Sequence, residues 1–252
     1  MVLIEAEPTT KQDLTLVLSK YGPVEQRIHS ELSGRGGFRV GVLNTMESEV
    51  RHSPGKAVLL LDDVFEAFII SNLFSETLNP YDAYAMAVNR VLLFRELSEL
   101  GYPTPDVSVA LNPNVVGRVI SSVGKTYMAT PSASLGLDGI VTTWEGGKSV
   151  AEHRMYMANP PLARINMLMK APPSKIINVQ VIGNNCIGCG DLGGTWVLRL
   201  SRSIKCLMCT YIIGIYEDEQ VILGVDPRVE LTTSIVEPMV NAIMGGWYNG
   251  EG

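Results

Sequence analysis

The residues best equipped for chemistry are four cysteines in two pairs, Cys186-Ile-Gly-Cys189 and Cys206-Leu-Met-Cys209. Sixteen residues separate the pairs, which fits C-x2-C-x15–20-C-x2-C, the spacing of a tetrahedral zinc site. A tight C-x-x-C turn aims two thiolates at one ion about 2.3 Å away, and Gly188 and Gly190 ease the first turn. Four thiolates leave no open coordination position, so a zinc held by Cys186, Cys189, Cys206 and Cys209 is structural rather than catalytic. Two other readings stay open: buried thiols that pack as small apolar groups, and an iron–sulfur or redox pair.

Other reactive side chains are less organised. His29, His52 and His153 lie far apart, with no partner at ligand spacing, and read as solvated or locally bonded. Glu217-Asp218-Glu219 reads as a polar hairpin turn, with cation binding the lesser alternative. Ser132 and Ser134 lack the G-x-S-x-G elbow of a serine hydrolase. Met155, Met157, Met167 and Met169 read as adaptable core filler.

The elements that position these groups follow from composition and pattern. The 252 residues make one large domain or two small ones at roughly 150 residues per domain. Apolar residues are 46% and charged residues 18%, which excludes wholesale disorder, collagen and coiled coil. A net charge of −6 argues against a nucleic-acid-coating surface. The longest apolar runs fall far short of the roughly 20 residues of a spanning helix, so no membrane partner is expected. The amino terminus has no basic region or cleavage site, and a cytoplasmic location with reduced cysteines is expected.

Residues 9–33 read as helical, interrupted at Gly22-Pro23, and Ser33–Gly37 as a linker. FRVGVLNT (38–45) and AVLLLDD (57–63) read as strands, with a helical pattern over 64–76. Asn79 caps a long helix that opens with Pro80 and ends at Gly101. Val107–Leu111, Lys125–Ala129, Gly139–Trp144, Ile177–Ile182, Thr195–Leu200, Thr210–Tyr216 and Gln220–Val225 read as strands, and Ser234–Met244 as a terminal helix. The fold class is α+β: a helical segment and linker over 1–37, a small α/β lobe with connecting helix over 38–105, and a region with an antiparallel sheet over 106–252. Within the last, a flap part covers about 106–156 and a sheet part about 157–252.

Four stretches, in this order, resemble the ATP-grasp superfamily, nearest its ribosomal-protein glutamylating and lysine-biosynthesis ligases. They are NPYDAYAMAVNRVLLFRELSELGYPTPD (79–106), TPSASLGLDGI (130–140), SKIINVQVIGN (174–184) and GIYEDEQVILGVDPR (214–228). The resemblance covers about residues 38–252. It implies an ATP-grasp-like fold, ATP with Mg²⁺, and joining of a carboxylate to an amine through an acyl-phosphate. It also implies a homo-oligomer or protein complex, since such ligases are commonly dimers or tetramers. In the family's register both cysteine pairs lie near sheet positions, where a zinc knuckle is not expected.

Carried over position by position, the resemblance puts Arg90 and Thr130 where the family has phosphate-binding lysines. The flap glycines Gly136 and Gly139 persist, but Ser134, Leu135 and Leu137 replace small residues. Met155 stands at the hinge glutamate and Asn178 at the strand arginine that grips the acyl-phosphate. Tyr216, Gly224 and Asp226 stand at the magnesium ligands, so only Asp226 still offers a carboxylate, although Mg²⁺ wants an oxygen shell with one or two. Lys125 and Glu230 are the available substitutes for a phosphate and a metal contact. Three functions follow. The first is an ATP-grasp relative that has lost phosphoryl transfer and serves as a binding or assembly component, holding a nucleotide or an acidic small molecule. The second is an active ATP-dependent carboxylate–amine ligase using substitute residues. The third is a zinc-stapled interaction module.

Overall fold

The computed structural model describes residues 12–157, 161–192, 194–217 and 219–248. The chain opens with strand β1 (Gln12–Leu18), then helix α1 (Pro23–Arg35), strands β2 (Phe38–Asn44) and β3 (Ser53–Leu60), helix α2 (Val64–Ile70) and strand β4 (Phe74–Thr77). The four strands form an all-parallel sheet in the order β2-β1-β3-β4. Residues 12–18 are thus a strand, not the expected helix; residues 9–11 of that expectation lie outside the described residues. The reason is position. β1 is internal to the sheet, and Leu14, Leu16, Val17 and Leu18 are all buried, so both of its faces are apolar and the alternation of a half-buried strand is missing. α2 is capped by Asp63, whose carboxylate accepts from the Phe65 N–H at 2.6 Å and the Glu66 N–H at 3.4 Å.

The long helix expected after Asn79 is two helices, α3 (Tyr81–Val88) and α4 (Arg90–Glu99). Asn89 leaves the helical conformation at φ −139° and caps α4, accepting from the Val91 N–H at 3.1 Å. Asn79 does not cap α3. Its buried amide donates to the Met208 carbonyl at 2.6 Å and accepts from the Met208 N–H at 3.0 Å, tying this connection to a strand 129 residues away.

Next come β5 (Val107–Ala110), α5 (Pro113–Val123), β6 (Thr126–Ala129), β7 (Gly139–Val141), α6 (Trp144–Met157) and β8 (Asn166–Met169). The strands form an antiparallel sheet in the order β5-β8-β6-β7. α5 and α6 cover one face of it through Ala110, Val116, Ile120, Met128, Ala151 and Leu168. Residues 170–174 then lead into a second antiparallel sheet. It is built from β9 (Lys175–Ile182), β10 (Asn185–Ile187), β11 (Met208–Ile215) and β12 (Gln220–Asp226), in the order β10-β9-β11-β12.

Thr195–Leu200, expected as a strand, belongs to helix α7 (Thr195–Ser203). Val197, Leu200 and Ser201 face inward at helical spacing, and the alternation of Trp196, Leu198 and Leu200 with other residues is coincidental. The terminal helix α8 (Val236–Tyr248) packs on α1, joining Ile28 and Leu32 to Val236, Met239, Val240 and Ile243. A larger core runs through all three sheets, from Val17 and Leu59 to Tyr127 and Met167 and on to Val181, Tyr211 and Val225.

Candidate functional site

Strand register places the resemblance-derived positions. Asn178 and Gly224 both pair with Ile212, and Gln180 and Asp226 both pair with Thr210. Paired residues of an antiparallel ladder project to one face, so these six form two rows across β9, β11 and β12. Tyr216 is not in either row; it follows β11 at the turn into β12. The positions facing Gly224 and Asp226 are Ile212 and Thr210.

The flap segment 130–138 is seated on this face. A short 3-10 turn at Ala133–Leu135 is closed by Gly136 at φ 63°, a left-handed conformation that glycine adopts without strain. A Cβ at Gly224 would come within 2.8 Å of the Ala133 Cβ and 3.0 Å of the Arg90 guanidinium, so the glycine is what lets flap and arginine close over β12.

Arg90 is wholly buried. Its N–H donates to the Pro131 carbonyl at 2.7 Å, its guanidinium donates to the Thr130 carbonyl at 3.1 Å, and it forms an ion pair with Asp138. Asp138 also accepts from the Tyr127 hydroxyl at 3.1 Å and the Thr130 N–H at 3.2 Å. Thr130 turns its hydroxyl to the Ser132 carbonyl at 2.8 Å, and Ser132 turns its own to the Ala87 carbonyl at 2.8 Å. Arg154, also buried, donates to the Ala129 carbonyl and the Asn166 side chain, both at 3.1 Å, and to the Leu137 carbonyl. Burial pulls the Arg154 guanidinium down from its ordinary value, with Asp138 opposing. Burial first and Asp138 second push the Tyr127 hydroxyl up, so it stays a donor. The Arg90 Nε and the Ser134 Oγ are buried without a partner.

A second charged group clamps the same flap from below. The Arg228 guanidinium donates to both Asp226 oxygens at 2.6–3.1 Å, to the Asp62 carbonyl at 2.6 Å and to the Ser134 carbonyl at 3.0 Å. Bonding to Asp226 raises the arginine further. Beside this clamp, where β1 and β3 end, opens a cavity of about 690 Å³. Its charged lining includes Lys20, Asp62, Arg228 and Glu230, and its floor includes Gln180, Thr210 and Asp226.

The structure gathers Arg90, Thr130, Ser134 and Gly136 around the flap, with Gly139 on β7 just beyond. Asn178 stands exposed in the row containing Gly224, and Glu230 shares the cavity with Asp226. It does not bring in Lys125, exposed before β6 at the end away from Thr130, or Met155, 41% exposed on α6. The linker between the two antiparallel sheets is 170–174, not the segment around Met155. Asp138 and Arg154 were not singled out from sequence; the one available signal was an acid inside a Gly-containing flap.

The four-cysteine zinc site is not supported. Among the described residues no group of three or more His, Cys, Asp or Glu converges on a metal position. Cys186 and Cys209 both pair with Val181, on opposite sides of β9, so two strand spacings, roughly 9–10 Å, separate their backbones. Cys186 and Cys189 form a disulfide. Cys206 and Cys209 are buried free thiols, and the Cys209 thiol donates to the Cys206 carbonyl at 2.9 Å.

Comparison with solved structures decides the architecture. The chain has an ATP-grasp fold. A RimK domain ATP-grasp protein from Sphaerobacter thermophilus superposes with TM-score 0.72 at 14% identity, over 92% of this chain and 100% of that one. D-alanyl-alanine synthetase A from Vibrio cholerae gives 0.64 at 10% identity, over 95% and 100%. The ATP-grasp ligase PsnB, complexed with a phosphomimetic precursor variant, Mg and ADP, gives 0.60 at 13%, over 94% and 99%. No protein-family model and no curated protein sequence matches the chain. In this ATP-grasp fold, the flap that leaves β6 of one antiparallel sheet packs on Gly224 of β12 in the other.

Proposed function

We propose that this chain is an ATP-grasp-fold binding or assembly component that does not transfer phosphoryl groups. Its ligand is a small polar molecule held in the 690 Å³ cavity. The observation that carries this reading is the buried Arg90–Asp138 ion pair under Gly224. The cationic group left at a phosphate-binding position is spent on an internal carboxylate, and no carboxylate stands at Gly224. Asp226 is likewise spent on Arg228. As arranged, these residues do not fit Mg²⁺-ATP, which needs free cations for the phosphates and one or two free carboxylates for the metal.

The cavity supports the binding half of the proposal. Open α/β sheets take ligands at the carboxyl ends of their strands, where β1 and β3 end here. With Arg228 held by Asp226 and Lys20 paired with the exposed Asp62 at 3.8 Å, Glu230 is left as an acid unpaired among the described residues and Lys20 as a weakly held cation, which suits a small ligand with an amino group and a carboxylate, such as an amino acid. The rival reading, an active ligase, draws on the ADP and Mg of the PsnB complex, and requires the flap to lift and Asp226 to leave Arg228.

Thermal melts with and without ATP and Mg²⁺ separate the two. A nucleotide at about 100 times its Kd stabilises by about 2.7 kcal/mol, or roughly 5–10 °C for a chain of this size. The expected outcome is no shift with ATP and Mg²⁺, and a positive shift with at least one amino acid of a screened panel. Nucleotide-dependent stabilisation together with phosphate release on adding amino acids would establish the ligase instead.

A further inference from the structure

A second depression, of about 610 Å³, lies on the other face of the β9–β12 sheet. Along β11 successive residues alternate faces. Gly214 looks toward Pro173 of the inter-sheet linker, so Ile215 and its register partner Gln220 look the opposite way. There they meet Trp196 in the first turn of α7 and Leu192 in the turn before it, together with Tyr102, Pro103 and Tyr216. The Trp196 indole is fixed by donating to the Leu192 carbonyl at 3.0 Å. Two exposed carboxylates, Glu217 and Glu219, rim the groove, and neither has an ion-pair partner among the described residues.

The charged groups lining the groove are both carboxylates, while the Tyr102 and Tyr216 hydroxyls and the Gln220 amide can donate as well as accept. Glu217 and Glu219 only accept hydrogen bonds, and the Gln220 Oε1 is a buried acceptor with no partner. An unpaired buried carbonyl costs about 1–3 kcal/mol unless something fills it. The aromatic walls present electron-rich faces that attract a flat cation. Acceptors, aromatic faces and negative charge together call for a ligand with several N–H donors, a positive charge and an apolar body. Guanidinium meets all three needs, because it stacks on rings and pairs with carboxylates through its planar fork. Exposed carboxylates add little by themselves, so most of the affinity must come from covering the aromatic wall. A single side chain cannot fill a groove of this volume; an extended segment can.

We propose that this groove binds a peptide segment through an arginine side chain, with the guanidinium between the aromatic wall and Glu217, Glu219 and the Gln220 carbonyl. The site is separate from the flap and cavity above and does not depend on their reading.

The test uses the full chain and a fluorescein-labelled peptide, Gly-Ala-Arg-Ala-Gly, followed by anisotropy. A peptide with citrulline in place of arginine keeps the shape and loses the charge. The arginine peptide is expected to bind, with affinity falling as salt rises and the citrulline peptide at least about tenfold weaker. The E217Q/E219Q double variant, altered only at exposed positions, should keep its melting temperature and weaken the arginine peptide by about tenfold. Gln220→Leu should raise the melting temperature of the free protein, by removing the unpaired carbonyl, while also weakening the peptide. The proposal is overturned by any of three results: no binding of the arginine peptide, equal binding of the citrulline peptide, or undiminished binding to the double variant. Spermidine binding as tightly as the peptide would overturn the peptide assignment too.

Discussion

At the scale of single residues, Arg90 and Asp138 show how a charge is kept inside. Arg90 is wholly buried and the Asp138 side chain 12% exposed, so each is tolerated because the other is there. Removing one partner leaves the other uncompensated. Asp138→Asn is therefore expected to destabilise by about 3–5 kcal/mol, whereas R90M/D138L, which removes both charges, should lose less than the sum of its singles, with the Tyr127 hydroxyl and Thr130 N–H left unpaired keeping it below wild type. Urea unfolding of R90M, D138L and R90M/D138L closes the cycle. If the double variant were as damaged as the sum of the singles, the pair would not be acting as a unit. Sequence exposed Arg90 and concealed Asp138 for a physical reason: an acid next to Gly139 looks like loop polarity until the fold turns it inward. The two roles of Asn79 were equally hidden, since a helix cap is local and its actual partner, Met208, is 129 residues distant.

At the scale of elements, Arg228 joins three pieces: the end of β12, the flap at Ser134 and the loop after β3 at Asp62. Arg228→Met keeps most of the apolar stem and removes five donors. It should leave Asp226 unpaired and free the flap, and amide exchange over 130–138 and 60–63 should quicken while exchange in β9 and β11 stays unchanged. Uniform quickening across the chain would mean that the arginine supports global stability and not this junction. Elements were legible where local signals agree with burial. β5, β6, β9, β11 and β12 follow β-rich apolar runs, whereas α5 was not anticipated although Asn112 caps it at 2.8 Å ahead of Pro113. They were illegible where burial overrides pattern: β1 is apolar on both faces and passes for helix, and α7 alternates by accident and passes for strand.

At the scale of the whole molecule, three sheets share one core, and its polar atoms sit where the α3 segment meets β11. There the Cys206 carbonyl accepts from Ser201 at 2.5 Å, Cys209 at 2.9 Å and Tyr211 at 3.4 Å, with Tyr84 of α3 alongside. Burial is the first cause that pushes the Cys206 thiol and the Tyr84 and Tyr211 hydroxyls well above their ordinary values of 9.0 and 10.0. In the unfolded chain these groups ionise normally. Between the ordinary and the raised values the unfolded state therefore holds fewer protons than the native state, and stability falls as pH rises; below about pH 8 both states are almost fully protonated and these groups contribute little slope. Each group adds up to about 1.4 kcal/mol per pH unit to the alkaline loss. Urea midpoints between pH 7 and 11 should be flat at first with respect to these groups and then descend. Tyr84→Phe keeps the ring and removes one ionisable hydroxyl, so its descent should be shallower by about one proton above pH 10. A descent with the same slope in wild type and Tyr84→Phe would show that the ionisation that opens the core lies elsewhere.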